Sequence, residues 1–389
     1  MKDAEFVSTY RIEDCTRCKN ECASACPVFR HYGSYHPQQL AHLFLAGGES
    51  AAHDHRLIWT CVTCKACTEA CPFKVEFADF IRELRVGRTD YEPVYDGLIH
   101  EYHRVQAHGA VGRGGRGVPR EPSIVSGASL SWIDGSMSVN RGEDTALFVG
   151  CLSLFDAVAG AAGGGTFIGM AKAAVKILNR IGVSPTILQD ERCCGRDLFD
   201  IGDREGFKAL AAHNTEALRK AKAKKVITIC PECAYTLRNT YAEALGGQSF
   251  EVRHMVTVIM ENIAALGFEP GAEKMALHDP CYLSRYLAAG DDAERLVGLL
   301  STESPAVLER RGARGPCCGA GSFVNHGPHT RTAVNERLTE AHASGTEVLV
   351  TACPKCTLLY EEASPACSWK ESPVVVRDLI TLAASRLRE

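Results

Sequence analysis

Five cysteines between positions 281 and 356 constrain this chain more than any other feature. They read His278-Asp-Pro-Cys281-Tyr, then Gly315-Pro-Cys317-Cys318-Gly319-Ala-Gly, then Thr351-Ala-Cys353-Pro-Lys-Cys356. The pattern occurs once before, as Cys151, then Cys193-Cys194-Gly195, then Cys230-Pro-Glu-Cys233. Upstream lie two four-cysteine runs, Cys15-Thr-Arg-Cys18-Lys-Asn-Glu-Cys22-Ala-Ser-Ala-Cys26-Pro27 and Cys61-Val-Thr-Cys64-Lys-Ala-Cys67-Thr-Glu-Ala-Cys71-Pro72. Together these sets take every one of the 19 cysteines except Cys367. The opening residues, Met1-Lys2-Asp3-Ala4-Glu5, hold no apolar core of a secretory signal. Cysteines in this number without an export signal point to metal or catalytic thiols rather than disulfides. The residues thus describe a metallocluster protein.

The second upstream run fits C-x2-C-x2-C-x3-C-P, the spacing of paired [4Fe–4S] segments, in which the fourth cysteine crosses to the other cluster. That rule groups Cys15, Cys18, Cys22 and Cys71 at one cluster, and Cys61, Cys64, Cys67 and Cys26 at the other. Thiolates two or three residues apart in a tight loop wrap three corners of a cube, and the proline ends the turn without needing an amide donor. The first run departs from the spacing, with three residues between Cys18 and Cys22. Structural zinc is the competing reading, since paired C-x-x-C motifs also make zinc sites of four thiolates. The trailing prolines and the four cysteines in each run favour iron–sulfur. A helical spacer is expected between the runs over Pro37–Leu45.

From Thr145 onward, short apolar strands alternate with helices, which implies parallel α/β layers with sites at the carboxyl ends of strands. The first copy reads as strand Ala146–Val149 into Cys151, helix Phe167–Ile181, strand Thr186–Leu188, helix 207–222, then strand Val226–Ile229 into Cys230. Phe167, Met170, Ala174 and Leu178 fall at helical spacing. The second copy reads as strand Met275–Leu277 into Cys281, strand Ala306–Leu308, helix 331–343, then strand Val348–Thr351 into Cys353. The tails Val252-Arg253-His254-Met255-Val256 and Val376-Arg377-Asp378-Leu379-Ile380 also align. The expected fold class is α/β with a small α-helical ferredoxin-type domain and two pseudo-symmetric α/β halves. The expected boundaries are 1–90 for the two-cluster domain, 91–143 for a helix and glycine-rich linker, 144–272 for the first half and 273–389 for the second. Within the linker, Tyr95–Gln106 reads as helix. Arg113, Arg116, Arg120 and Arg141 read as a solvated surface, with contact to a partner or an anion as the alternative.

Thr145 to Ala171 holds a single charge, Asp156, but also six glycines. A strand followed by a buried loop fits it better than a membrane span. A net charge of −4 and a pI near 6.4 give no electrostatic case for nucleic acid or an anionic membrane surface. The chain reads as cytoplasmic, or peripheral to a membrane through a partner subunit.

Each Cys-Pro-x-Cys at a helix start places a thiolate in a positive field, which lowers its pKa and favours metal or redox chemistry. The adjacent cysteines can present two sulfurs to neighbouring iron atoms, and Gly195 and Gly319 let the backbone approach a bulky inorganic core. Five thiolates exceed what one cubane needs. His278, His326 and His329 flank the second set and could donate protons to a leaving thiolate, although packing or surface roles explain them as simply. Cys367 reads as a buried small hydrophobe.

The doubled C…CCG…CPxC pattern behind a two-cluster segment resembles the heterodisulfide reductase D-type proteins, with the iron–sulfur subunits of glycolate oxidase and anaerobic glycerol-3-phosphate dehydrogenase as relatives. The resemblance covers nearly the whole chain. It implies two [4Fe–4S] clusters in the ferredoxin-type domain and up to two non-cubane [4Fe–4S] clusters in the CCG halves. One would be held by Cys151, Cys193, Cys194, Cys230 and Cys233, the other by Cys281, Cys317, Cys318, Cys353 and Cys356. No flavin or nicotinamide fingerprint is present. The implied function is an oxidoreductase subunit that passes single electrons from the ferredoxin-type clusters to the CCG sites. Expected partners are a flavoprotein, a hydrogenase or a membrane cytochrome subunit, with a thiol/disulfide or acyl-CoA-reducing subunit downstream. The alternative is catalytic cleavage of a disulfide at Cys281, Cys317, Cys318, Cys353 and Cys356. A zinc-binding scaffold is the reading outside redox chemistry.

Overall fold

The computed structural model describes residues 7–33, 36–52, 55–88, 98–108, 130–160, 167–323, 328–367 and 373–388. Among the described residues, seven strands form two parallel sheets. The first orders β2 (Thr186–Ile187), β1 (Thr145–Phe148), β3 (Lys225–Thr228) and β4 (Glu251–His254). The second orders β5 (Met275–His278), β6 (Val348–Thr351) and β7 (Val375–Asp378).

Every residue of β1 is buried, as expected of a parallel strand covered on both faces. Alternate side chains serve different cores. Leu147 and Ile227 pack with the helix Ile168–Arg180, whereas Ala146, Phe148 and Val226 pack with the helix Arg204–Lys220. The first of these cores runs on without a break into the second sheet, through Leu349, Val350, Leu379 and Ala383. Lys176 Nζ donates to Ala384 O at 2.9 Å across this junction. The second core joins the first sheet to the amino-terminal helices through Phe44, Phe77 and Phe80.

Because all strands in a sheet are parallel, their carboxyl ends share one edge. Cys151 follows β1, Cys230 follows β3, Cys281 follows β5 and Cys353 follows β6. Several sequence expectations are corrected. Ala306–Leu308 is not a strand: Ala306 N donates to Met275 O at 2.7 Å, but Leu308, the next residue to face β5, makes no second ladder bond. Arg310 then turns away to Glu336 and Glu340. The second sheet therefore has no counterpart of β2. The expected buried loop after Cys151 contains a helix, Leu152–Gly160, because its glycines gather at the end. The helix expected at 207–222 starts earlier, at Arg204, where Asp203 accepts from Gly206 N at 2.9 Å as its cap.

The helix from Pro37 extends to Ala51, with a break at Gly47 and Gly48. In the connector, the described helix is Leu98–His108. The positions of Arg113, Arg116 and Arg120 lie outside the described residues, as does His326, while Arg141 is exposed. His329 falls in the helix Pro328–Ala343, with its side chain outside the description. Cys367 is buried. No helix among the described residues is long and apolar enough to cross a membrane.

Gly202 is one of two glycines that meet the backbone of the amino-terminal domain. It has φ +85°, and a Cβ there would lie 2.1 Å from Arg85 O. Backbone cannot rotate aside as a side chain can. Gly202→Ala is expected to destabilise the protein by about 1–3 kcal/mol through overpacking alone. Gly182→Ala shares the left-handed backbone (φ +81°) without any atom in the way and isolates the conformational term. Equal losses of thermal midpoint in the two variants would refute the close approach.

Candidate metal centres

The amino-terminal runs line two cavities. Cys15, Cys18, Cys22 and Cys71 surround the first, with Cys67 also on its wall. Cys26, Cys61, Cys64 and Cys67 surround the second. Prolines and apolar side chains make up much of the remaining walls, with Phe77 shared, alongside Glu21 and Gln38 in the first cavity and Thr63 and Lys65 in the second. The spacer helix braces the first loop: Gln38 Nε2 donates to Cys15 O at 2.6 Å and to Cys18 O at 3.3 Å.

The extra residue of the first run is absorbed upstream of Cys22. Asn20 (φ 67°) and Lys65 (φ 59°) each hold the left-handed turn before a five-residue helix, Glu21–Ala25 and Ala66–Ala70. Cys22 and Cys67 are thus both second residues of such helices, and Cys26 and Cys71 cap them. Lys19 is the insertion, and the Cys22–Cys26 geometry repeats that of Cys67–Cys71.

The five-cysteine sets converge similarly. Cys151 Sγ lies 3.3 Å from Cys193 Sγ. In the second set, Cys281 and Cys317 are 3.9 Å apart and Cys318 and Cys356 are 3.2 Å apart. Gly195 N and Gly319 N each donate at 3.3 Å to the thiol two residues earlier, Cys193 or Cys317. Left-handed φ values of +82° and +88° make these two contacts possible.

Two thiol contacts cross between sets. Cys64 of the ferredoxin-type run meets Cys317, and Cys230 of the first set meets Cys353 of the second. Contact with Cys317 brings the Cys64 thiol down to about 6 against the effect of burial, helped by the Arg285 guanidinium. Contact with Cys193 likewise brings Cys151 down to about 7. In the first amino-terminal run burial dominates, pushing Cys15 up to about 12 and Cys22 to about 11. Neutral thiols of this kind lose their protons when they bind metal. Each cavity therefore suits a sulfur-ligated inorganic group.

Residues without any local sequence signal complete the sites. His103, from the helix Leu98–His108, places Nε2 at 3.5 Å from Cys151 Sγ. Burial works against its charged form, but Cys151 and Asp197 together raise its pKa. Gln106 Oε1 accepts from Cys193 N at 2.9 Å. Glu191 accepts from Val149 N at 3.1 Å and Gly150 N at 2.5 Å, fixing the turn into Cys151, and burial pushes its carboxyl up to about 8. His278, which the sequence places beside the second set, is fully buried next to Cys318 and Cys356, and burial lowers its pKa.

Lys355, inside Cys-Pro-Lys-Cys, sits 2.5 Å from Glu232, inside Cys-Pro-Glu-Cys, and 2.5 Å from Asp197. All three are buried. This signal was present in the sequence as opposite charges at one motif position.

A family model described as a cysteine-rich domain (CCG) matches residues 145–238 and 275–359, and one described as a 4Fe-4S dicluster domain matches residues 11–75. The chain belongs with the iron–sulfur proteins that join such a dicluster domain to two cysteine-rich domains. Within that class it is similar to the D subunit of the dihydromethanophenazine:CoB–CoM heterodisulfide reductase of Methanosarcina barkeri, at 24% identity over 99% of this chain and 96% of that one. An EtfAB:quinone oxidoreductase of Syntrophomonas wolfei is 27% identical over 82% of this chain and 45% of its own length. The B subunit of a fumarate reductase (CoM/CoB) of Methanothermobacter marburgensis is 23% identical over 92% of this chain and 69% of its own.

Removing Lys355 would leave Asp197 and Glu232 buried without their cation. Lys355→Met is expected to cost about 3–5 kcal/mol. Combining it with Glu232→Gln should cost less than the sum of the two single changes, read from unfolding midpoints in a double-mutant cycle. Additive losses would show that the pair is not coupled.

Proposed function

We propose that this chain is an iron–sulfur electron-transfer subunit of a multi-subunit oxidoreductase complex of the heterodisulfide reductase kind. In this reading its four cysteine sets act in one series. Cys15, Cys18, Cys22 and Cys71 would hold one [4Fe–4S] cluster, and Cys26, Cys61, Cys64 and Cys67 the other. The two five-cysteine sets would hold clusters of the non-cubane type. Such clusters, when bound, supply one-electron transfer.

The observation that carries the reading is the order of the thiol contacts. Cys67 lines both amino-terminal cavities, Cys64 touches Cys317, and Cys353 touches Cys230. The second five-cysteine set thus stands between the ferredoxin-type sets and the first five-cysteine set. A set flanked by other thiols on two sides suits a relay station better than a substrate-facing end, which favours relay over disulfide cleavage at Cys281, Cys317, Cys318, Cys353 and Cys356. Around the sets, the protein's own groups fix thiol positions and exclude water. Arg285 donates to Cys64 O at 2.6 Å and to Gly315 O at 2.8 Å, holding the two loops that bring Cys64 and Cys317 together. The partners in this reading are a flavoprotein, hydrogenase or membrane cytochrome subunit on one side and a terminal acceptor on the other.

Anaerobically purified Cys317→Ser protein, compared with wild type by rapid-freeze EPR after mixing with a one-electron reductant, tests the series. The two ferredoxin-type signals should form as in wild type, while reduction of the first five-cysteine set slows at least tenfold. An unchanged rate at that set would overturn the order. Zinc in place of iron in wild-type protein would remove the redox reading altogether.

A further inference from the structure

Among the described residues, each five-cysteine set has a buried imidazole within metal-binding reach of two of its thiols, carried on an unrelated element in each case. His103 comes from the connector helix Leu98–His108, outside both cysteine-rich domains. Its Nε2 lies 3.5 Å from Cys151 Sγ, and its donor atom and those of Cys151 and Cys193 all lie within 4.8 Å of one another. Its other nitrogen, Nδ1, faces the Asp197 carboxylate at 3.7 Å, an ion-pair distance without a hydrogen bond. His278 is the last residue of β5. Its Nδ1 lies 3.2 Å from the Tyr360 hydroxyl, while Nε2 is buried without a hydrogen-bond partner. Its donor atom and those of Cys318 and Cys356 again lie within 4.8 Å.

One ring nitrogen of each histidine is thus directed at an oxygen, and the other is left toward a pair of cysteines. A hydrogen bond at one ring nitrogen decides which nitrogen is free to bind metal, and a carboxylate or hydroxyl oxygen behind a metal-bound histidine is the usual arrangement. The helix bearing His103 is fixed to the site independently. Gln106 accepts from Cys193 N at 2.9 Å, and Arg192 Nη1 donates to Gln106 O at 2.6 Å. The helix therefore cannot move away without breaking contacts to the CCG turn itself.

We propose that His103 and His278 are nitrogen ligands, one to the metal group of each five-cysteine set. The inference rests on the iron–sulfur reading above. It makes the two groups mixed nitrogen–sulfur centres and makes them inequivalent, because His103 joins the Cys151–Cys193 pair whereas His278 joins the Cys318–Cys356 pair. Position 148, at the end of β1 as His278 is at the end of β5, is phenylalanine and offers no donor. Imidazole is a neutral ligand, so exchanging it for a thiolate would add negative charge to the group and lower its reduction potential.

The test is pulsed EPR on the full chain, purified anaerobically with 15N-labelled histidine, alongside iron and zinc analysis. Wild type is expected to show two sets of strong histidine-nitrogen couplings on the signals of the five-cysteine sets. His103→Ala and His278→Ala should each remove one set and leave the other. His103→Cys and His278→Cys keep a metal-binding side chain where alanine would fail to load. Each should retain iron, lose its nitrogen coupling and show a lower midpoint potential at its own set. Iron-loaded wild-type protein with no histidine-nitrogen coupling would overturn the inference while leaving the relay reading intact. Wild-type protein without iron at these sets would instead overturn the relay reading.

Discussion

The carboxylate of Asp200 is the point on which three parts of this molecule are assembled. It lies on the short helix Arg196–Asp200, directly after Cys193-Cys194-Gly195. Arg82 of the amino-terminal domain reaches it at 2.6 Å and Arg196 at 2.7 Å. Arg82 also donates to the hydroxyls of Tyr286 at 2.7 Å and Tyr282 at 3.3 Å, just after Cys281. Burial works against the charged form of Asp200, but the Arg196 and Arg82 guanidiniums outweigh it and hold the carboxyl below the usual range. Arg82 is itself fully buried, and a buried charge without its partner is costly. The Arg82–Asp200 pair therefore forms only when the amino-terminal domain docks on the first cysteine-rich domain, and the Tyr282 and Tyr286 hydroxyls tie the second to it. Docking in turn sets how closely Cys64 approaches Cys317, since Thr63 Oγ1 donates to Asp200 at 3.3 Å and Tyr286 donates to Thr63 O.

The thiol arrangement follows from that docking. Thiols collected from distant parts of the chain face one another in apolar pockets, where thiolates would repel and neutral thiols make only weak hydrogen bonds. Such a site gains its stability from a cation that many sulfurs share. Backbone N–H groups aimed at Cys61, Cys193 and Cys317 serve the same end, offering hydrogen bonds that favour the thiolate. Burial and sulfur density together are what would link folding to metal loading at such sites.

What was legible in the sequence depended on whether the signal was local. Strands that end in cysteine were visible because four apolar residues in a row, followed by a turn, fit a strand covered on both faces. Ala306–Leu308 carried a similar look and is not a strand, because it makes one ladder bond to β5 before Arg310 turns away to Glu336 and Glu340. The glycines after Leu152 suggested a loop, yet they gather at the end of a helix whose Leu154 and Phe155 pack inward. His103 left no trace, since its contact with Cys151 is made across 48 positions by a helix with no cysteine of its own. The bracing role of Gln38 was hidden for the same reason. Glu232 and Lys355 stood in plain view as the variable residues of two Cys-Pro-x-Cys motifs, and only their opposite charges hinted that the motifs meet.

That opposition carries a consequence for how the two cysteine-rich domains are arranged. A buried ion pair is seldom more stabilising than a well-packed apolar pair of the same size, because both charges must leave water. Its effect is on selection among alternatives. Two glutamates facing one another at this position would repel, and two lysines equally so. With one of each, backed by Asp197 from the first domain only, the two motifs attract solely as a mixed pair. A duplicated domain exposes itself to pairing with a second copy of itself, and identical residues at the contact would permit that error. The Glu232–Lys355 contact therefore orients Cys230 toward Cys353, joining the first five-cysteine set to the second within one chain.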